Sequence, residues 1–587
     1  MNYDLNQFVG QKEEKNATYK ALRKLLTLIK DERRTLILAF LALLVNSSLN
    51  MLSPMLVGRA VDQYIQTKQY EGLLVYGGVL LSMYVVTFGT NYLQTRLMGE
   101  VGQRTLFRLR NAVFNKLQEL PVAFFNQNKA GDLISRINND TDKLNQFFSQ
   151  SLMQFVGSIF TMVGAGIFLL SINLPLGAAA LAPAVLIWIF TKITSAWVKE
   201  KNAKNLRSVG NMSAEIQESL NNFKVIIAFN RRDYFRKRFD EANQQNYQTA
   251  VGAGLANNIF MPVYSLAASF GQLIVLTYGI YLISTGHFTV GLLISFLSYV
   301  MNFYNPLRQL ATLWANFQVA LAGWDRISHM LALQTDLQTI ENPLMLPTMS
   351  LLSFQNVSFS YPNGHEVLHN INFSLERGKT YALVGPTGGG KTTTASLIAR
   401  LYDPTSGTVL LDGKDIRAYS AEERTSKIGF ILQEPFLFTG TVRENILYGN
   451  ETYQRYSNEQ LIEVIREANL EALLERFDSG LETKVQTTGD MISLGQRQLI
   501  AFIRAVLRSP ELLILDEATA NIDTITEQLL EEILQKLPKT TTRIIIAHRL
   551  NTIETADEIF FINSGQVTRA GSLNDAVDML LHGKRVS

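Results

Sequence analysis

Residues 381–392 read Tyr-Ala-Leu-Val-Gly-Pro-Thr-Gly-Gly-Gly-Lys-Thr, an apolar run that enters the pattern G-x-x-x-x-G-K-T. Glycines at this spacing let successive backbone N–H groups converge on phosphate oxygens. The lysine reaches the β and γ oxygens, and the threonine hydroxyl can hold Mg²⁺. The expected triphosphate site is therefore Gly385, Pro386, Thr387, Gly388, Gly389, Gly390, Lys391, Thr392 and Thr393, with ATP and Mg²⁺ as the cofactors. A second apolar run, Leu512 to Leu515, ends in Asp516-Glu517. Paired acids at a strand end supply what metal-dependent hydrolysis needs: Asp516 to hold the ion through water, and Glu517 to polarise the attacking water. Acids that merely cap a following helix would account for one of the two. His548 follows the strand-like Ile544-Ile545-Ile546, and taken alone it reads as a satisfied core histidine.

These groups need a particular frame. A strand must lead into the glycine turn and a helix must leave it, as in an α/β P-loop fold, and residues 350–587 mix charge, glycine and short β-like runs in ordinary globular proportions. The earlier part of the chain is different. Six stretches are apolar enough to cross a bilayer, near 35–57, 73–93, 152–172, 174–190, 253–283 and 290–310. Segments three and four form a hairpin about Asn173 and Pro175, while five and six meet at Ser284-Thr285-Gly286-His287. Lys20, Arg23, Lys24, Lys30, Arg33 and Arg34 precede the first segment, and further Lys/Arg clusters follow the second and fourth. The two short turns carry no Lys or Arg, so the N-terminus, both long connections and the C-terminal domain are assigned to the cytoplasm. Leu106, Leu109, Val113 and Leu117 in one connection, and Ile216, Leu220 and Ile227 in the other, recur at helical spacing. Both connections are therefore expected to be helical extensions of the spans.

The expected organisation is a cytoplasmic amphipathic segment 1–34, a six-helix transmembrane domain 35–325, a linker 326–350, and an α/β P-loop nucleotide-binding domain 351–587 with a mixed sheet and a helical subdomain. A net charge of +3, without basic blocks interleaved with aromatics, excludes a nucleic-acid groove. The absence of cysteine excludes disulfides, thiolate metal sites and cysteine nucleophiles. At membrane depth the polarity comes from Asn46, Asn50, Asn91, Gln154, Asn257, Asn258, Gln272 and Asn302, and scarcely at all from charge. That suits amphipathic or hydrophobic cargo better than a metal ion or bare anion. For any one amide, helix-to-helix hydrogen bonding is the ordinary role.

Ile492-Ser493-Leu494-Gly495-Gln496, opening a helix expected at Arg497 to Arg508, resembles the L-S-G-G-Q signature of ABC transporters. Tyr361 is similar to that family's adenine-stacking aromatic, Gln433 to its Q-loop, Asp523 to its D-loop, and His548 to its switch histidine, which senses the γ-phosphate. Pro121 to Phe125 with Gly131 to Asp140, and Phe223 to Asn230, resemble the two cytoplasmic connections of exporter-type half-transporters. The resemblance implies an ATP hydrolase with Glu517, His548 and Gln433 in catalysis, and with Thr392, Gln433 and Asp516 around Mg²⁺. It also implies a two-chain assembly, each ATP held between one cradle and the other chain's Ser493, Gly495 and Gln496.

Leu494 departs from the family's glycine, and Thr487-Thr488-Gly489-Asp490 departs from its T-x-x-G-E-x-G run, whereas Glu517 and His548 match. One intact half-site and one altered signature resemble a subunit of a bacterial heterodimeric exporter in the inner membrane. Its partner would be a different chain with an altered strand-end glutamate, and its cargo a drug, lipid or peptide. A homodimeric lipid flippase and an importer built on the same fold are the alternatives; a soluble P-loop ATPase would lack the six spans.

Overall fold

The computed structural model describes residues 3–5, 29–337, 339–341, 350–362, 364–486, 492–516, 524–546, 553–571 and 573–582. They divide into two compact units. One holds residues 11–116 and 131–332; the other holds residues 333–587 together with 1–10 and 117–130.

The first unit is built from seven long helices: α1 (Arg33–Ala60), α2 (Tyr70–Glu119), α3 (Leu152–Ile172), α4 (Leu174–Asn221), α5 (Arg232–Asn258), α6 (Phe260–Ser284) and α7 (Val290–Leu331). Counting α5 and α6, jointed at Ile259, as one, six helices among the described residues are long and apolar enough to span a membrane. The 50 residues of α2 rise roughly 75 Å, against the ~30 Å of a hydrocarbon core. The helices therefore continue far beyond the bilayer, and α7 runs to Leu331, inside the stretch expected as linker. Chain reversals fall where the local chemistry demands. Asn173 is extended and its side chain accepts from Leu176 N–H at 3.0 Å, with Pro175 in the first turn of α4. Thr289 caps α7 in the same way at 3.2 Å.

Packing between α1 and α7 is by close backbone approach. A Cβ on Gly291 would lie 1.9 Å from the Gly58 carbonyl oxygen, so neither glycine tolerates a side chain. Hydroxyls then fasten the helices: Ser295 donates to Pro54 O at 2.7 Å, Tyr299 to Met51 O at 2.7 Å, and Tyr304 to Ala180 O on α4 at 2.9 Å. In hydrocarbon, where apolar burial gives little preference for one neighbour over another, such small-residue contacts and interhelical hydrogen bonds select the fit. At the cytoplasmic end, buried Asp140 accepts two bonds from Arg326 at 2.7 and 2.6 Å and one from Lys143 at 3.1 Å. The bidentate geometry fixes α7 against the first connection.

The second unit contains strands β1 (Ser350–Ser360), β2 (Glu366–Glu376), β3 (Thr380–Val384), β4 (Ser406–Leu411), β5 (Lys414–Asp415), β6 (Ile428–Ile431), β7 (Gly440–Thr441) and β8 (Lys484–Val485). These are followed by β9 (Leu512–Asp516), β10 (Thr542–Ile546), β11 (Glu558–Asn563) and β12 (Gln566–Ala570). A four-stranded antiparallel sheet runs β2-β1-β4-β5, and a six-stranded sheet runs β12-β11-β3-β10-β9-β6, parallel except for β12. Every residue of β3 and β9 is buried, which explains their unbroken apolar runs. The α/β frame with a mixed sheet is the one expected from the sequence.

Candidate functional site

In the parallel sheet Ile546 pairs with both Leu383 and Asp516, and Ile431 with Leu515, so β3, β10, β9 and β6 end level with one another. Ligands in open α/β sheets bind outside the carboxyl ends of the strands. From that edge emerge the glycine turn after β3, Asp516 at the end of β9, and Gln433 two residues beyond β6. Three of the sequence-derived groups are thus placed together by topology alone.

The glycine turn fits a phosphate cradle. Gly385 and Gly390 have φ of 146° and 118°, values L side chains rarely adopt, and a Cβ on Gly385 would sit 2.0 Å from Ile562 O. Gly389 N–H donates to Pro386 O at 3.0 Å, which closes the tip over Thr387 and Gly388. The helix α8 (Lys391–Ile398) then begins at the cradle. Buried Lys391 donates from Nζ to Gly385 O at 2.8 Å and Pro386 O at 3.1 Å, so the ammonium lies over the turn. Thr392 Oγ1 donates to Asp516 Oδ1 at 3.4 Å, and Asp516 is 2% exposed. A hydroxyl and a carboxylate oxygen converging at the cradle's edge are hard donors of the kind Mg²⁺ takes, so the residues present fit that ion.

Tyr361 stands beside α8, its hydroxyl 3.1 Å from Thr393 Oγ1. Its ring meets Tyr402 edge to face, with centroids 5.3 Å apart. Tyr402 was not singled out by sequence reasoning, yet its hydroxyl accepts a 2.7 Å bond from Asn126 Nδ2 on the short helix Val122–Gln127 of the first cytoplasmic connection. Burial pushes the Tyr402 phenol up, which keeps it a neutral hydrogen-bonding group at physiological pH. The same connection is clasped by Tyr3 and Leu5: Asn128 Oδ1 accepts from Leu5 N–H at 3.1 Å, and Asn128 Nδ2 donates to Tyr3 O at 2.9 Å. No periodicity in the sequence signals either contact. A neutral hydrogen bond contributes ~0.5–1.5 kcal/mol, so Asn126→Leu is expected to reduce stimulation of ATP hydrolysis by a transported compound roughly two- to tenfold. ATPase assays with and without that compound measure it.

The signature helix, α9 (Leu494–Val506), starts three residues earlier than expected. The reason is a capping box: Ser493 Oγ accepts from Gln496 N–H at 3.1 Å, and Gln496 Oε1 accepts from Ser493 N–H at 3.0 Å. Leu494 therefore occupies the first helical position and Gly495 the second, at an N-terminus that carries partial positive charge. Glu517, Asp523, His548 and the run 487–490 lie outside the described residues.

In the first unit, Asn46, Asn50, Asn91, Gln154 and Asn302 all line one cavity of about 330 Å³. The other amides noted in the sequence do not; Asn257 pairs with Asn202, each donating to the other at 2.9 Å. In the second connection, the helix Phe223–Ala228 leaves Phe223, Val225 and Ile227 exposed.

Two family models match the chain: the ABC transporter transmembrane region over residues 36–307, and the ABC transporter domain over residues 368–520. YfiC, an uncharacterized ABC transporter ATP-binding protein of Bacillus subtilis, is 34% identical over 95% of this chain and 92% of its own length. A multidrug resistance ABC transporter ATP-binding and permease protein of Lactococcus lactis is 31% identical over 97% of this chain and 96% of its own length. A fatty acid ABC transporter ATP-binding/permease protein of Mycobacterium bovis is 34% identical over 84% of this chain and 77% of its own length. Six spans joined to a phosphate cradle, and matches of this extent on both sides, place the chain in the ABC transporter family as an exporter-type half-transporter, a multi-pass membrane protein whose cytoplasmic domain hydrolyses ATP to drive transport.

Proposed function

We propose that the chain exports hydrophobic or amphipathic compounds by alternating access, as one half of a heterodimer with one hydrolytic and one degenerate ATP site. The observation that carries the cargo reading is the cavity itself: among the described residues its lining holds no Asp, Glu, Lys, Arg or His. A charge buried there would lack a counter-charge, so cargo must bind by apolar contact and hydrogen bonds. Multidrug and fatty acid transport in the names of the Lactococcus and Mycobacterium relatives agrees with this class.

At the nucleotide site the residues have distinct tasks. Tyr361 stacks on adenine, the turn Gly385–Gly390 and Lys391 hold the phosphates, and Thr393 supports Tyr361. Thr392, Asp516 and Gln433 would hold Mg²⁺, which would supply positive charge against that of the triphosphate. Glu517 takes the proton of the attacking water, His548 senses the γ-phosphate, and Asp523 serves as the D-loop residue. Ser493, Gly495 and Gln496 cover the partner's nucleotide. Exposed Phe223, Val225 and Ile227 are the kind of apolar face a second subunit would cover. ATP binding closes the two nucleotide domains, and Asn126 and the long helices pass that closure to the spans.

Transport direction tests the reading. Purified complex in sealed vesicles, with the nucleotide domains outside, should accumulate an amphipathic dye inside on addition of ATP and Mg²⁺. Lys391→Ala should abolish the uptake, because it removes the cradle's only cation among the described residues of the turn. ATP-driven loss of preloaded dye would make the protein an importer.

A further inference from the structure

Three more carboxamides, Gln94, Asn305 and Gln309, line the same cavity as the five amides already named. Their spacing is helical. Asn46 and Asn50 lie four apart on α1, Asn91 and Gln94 three apart on α2, and Asn302, Asn305 and Gln309 fall on one face of α7. Asn50 Nδ2 donates to Asn46 Oδ1 at 2.9 Å. For the six others, no hydrogen bond to any described group is made by the side chain. Asn50, Asn91, Gln154, Asn305 and Gln309 are exposed, so their amide groups stand open to whatever occupies the cavity. With the N-terminus and both connections cytoplasmic, Asn91, Gln94, Gln154 and Gln309 lie near the cytoplasmic ends of their spans, where cargo loads for export.

The chemistry of the lining narrows the occupant. A carboxamide presents a donor and an acceptor side by side, matching the N–H and C=O that one residue of a peptide exposes together, whereas a hydroxyl offers its groups at a single atom. Carboxamides predominate over the hydroxyls of Ser47, Ser158 and Thr161, and ionisable groups do not contribute. A volume of about 330 Å³ is at the lower end of ligand sites, as expected for the share contributed by one of two chains. Resting on the export reading, we propose that this carboxamide-lined cavity binds an uncharged peptide, cyclic or blocked at its ends, through backbone amide groups, with apolar side chains toward Leu43 and Met153.

The test uses the purified complex in vesicles whose nucleotide domains face outward, with four labelled probes. They are an uncharged cyclic hexapeptide of leucine and alanine, its fully N-methylated form, tetraphenylphosphonium, and oleate. The cyclic peptide should accumulate with ATP, and N-methylation, which removes its donors, should weaken uptake at least tenfold. Asn302→Leu and Gln154→Leu should each raise the half-saturating peptide concentration roughly two- to tenfold, as expected for one or two lost hydrogen bonds, while Asn302→Gln, which keeps the carboxamide, restores it. Tetraphenylphosphonium or oleate uptake without peptide uptake would overturn the cargo class and leave export standing. ATP-driven efflux of every probe would overturn export instead. Peptide uptake indifferent to both leucine substitutions, or dissociation of the complex on making them, would show that the amides serve another purpose, in the second case contact with the other subunit.

Discussion

Glutamine in place of Glu517 should leave ATP bound and unhydrolysed. The substitution preserves size and hydrogen bonding but removes the carboxylate proposed as the base, and general-base catalysis is worth roughly 10²–10⁴-fold. Binding depends on other residues, the glycine turn, Lys391 over it, and the Thr392–Asp516 pair, none of which is replaced. The expected result is therefore a fall in turnover of two to four decades with ATP affinity within about threefold of the parent, measured by phosphate release and by equilibrium nucleotide binding. Because removal of phosphate is what permits reopening, dye uptake should cease in parallel. Normal turnover in the glutamine variant would remove Glu517 from catalysis and require a different base.

The difference between what the sequence disclosed and what it hid is physical. Phosphate chemistry is written in consecutive residues, since a glycine turn between a buried strand and a helix needs Gly385 to Thr392 in that order. The apolar runs of β3 and β9 likewise announce burial on both faces. Membrane spans are as legible, because length and apolarity are properties of contiguous segments. Contacts between distant segments leave no such trace. The Asn126–Tyr402 bond joins residues 276 apart, and Tyr3 is fixed by Asp336 and Asn128 through hydrogen bonds that neither neighbourhood predicts. The carboxamide cavity is intermediate: five of its amides stood out singly, but only the three-dimensional arrangement separates them from Asn257, which pairs with Asn202 instead. Gln94, Asn305 and Gln309 could have been found by asking which amides share a helical face. The sequence reading begins this helix at Arg497, whereas the capping box of Ser493 and Gln496 fixes the boundary at Leu494.

That boundary bears on the assembly. Leu494 adopts ordinary helical geometry behind an intact cap, so the fold does not require leucine there, nor would it require glycine. If that helix end meets an opposing nucleotide, as proposed, leucine in place of glycine would add a branched side chain where a γ-phosphate would approach backbone N–H groups. A charge-assisted hydrogen bond contributes ~1.5–3 kcal/mol, so blocking one slows closure about ten- to a hundredfold. The chain purified alone would pair its cradle only with its own altered signature, and it should hydrolyse ATP slowly. Leu494→Gly should then raise the turnover of the isolated chain about ten- to a hundredfold, because each site would combine Glu517 with an unobstructed helix end. In a complex with a different subunit the same substitution should leave turnover within about twofold, since there Glu517 faces the partner's signature and Leu494 covers only the degenerate site. Phosphate release from the two preparations, with and without the substitution, separates the cases. Rapid, drug-stimulated hydrolysis by the unaltered chain alone would establish a homodimer with two equal sites.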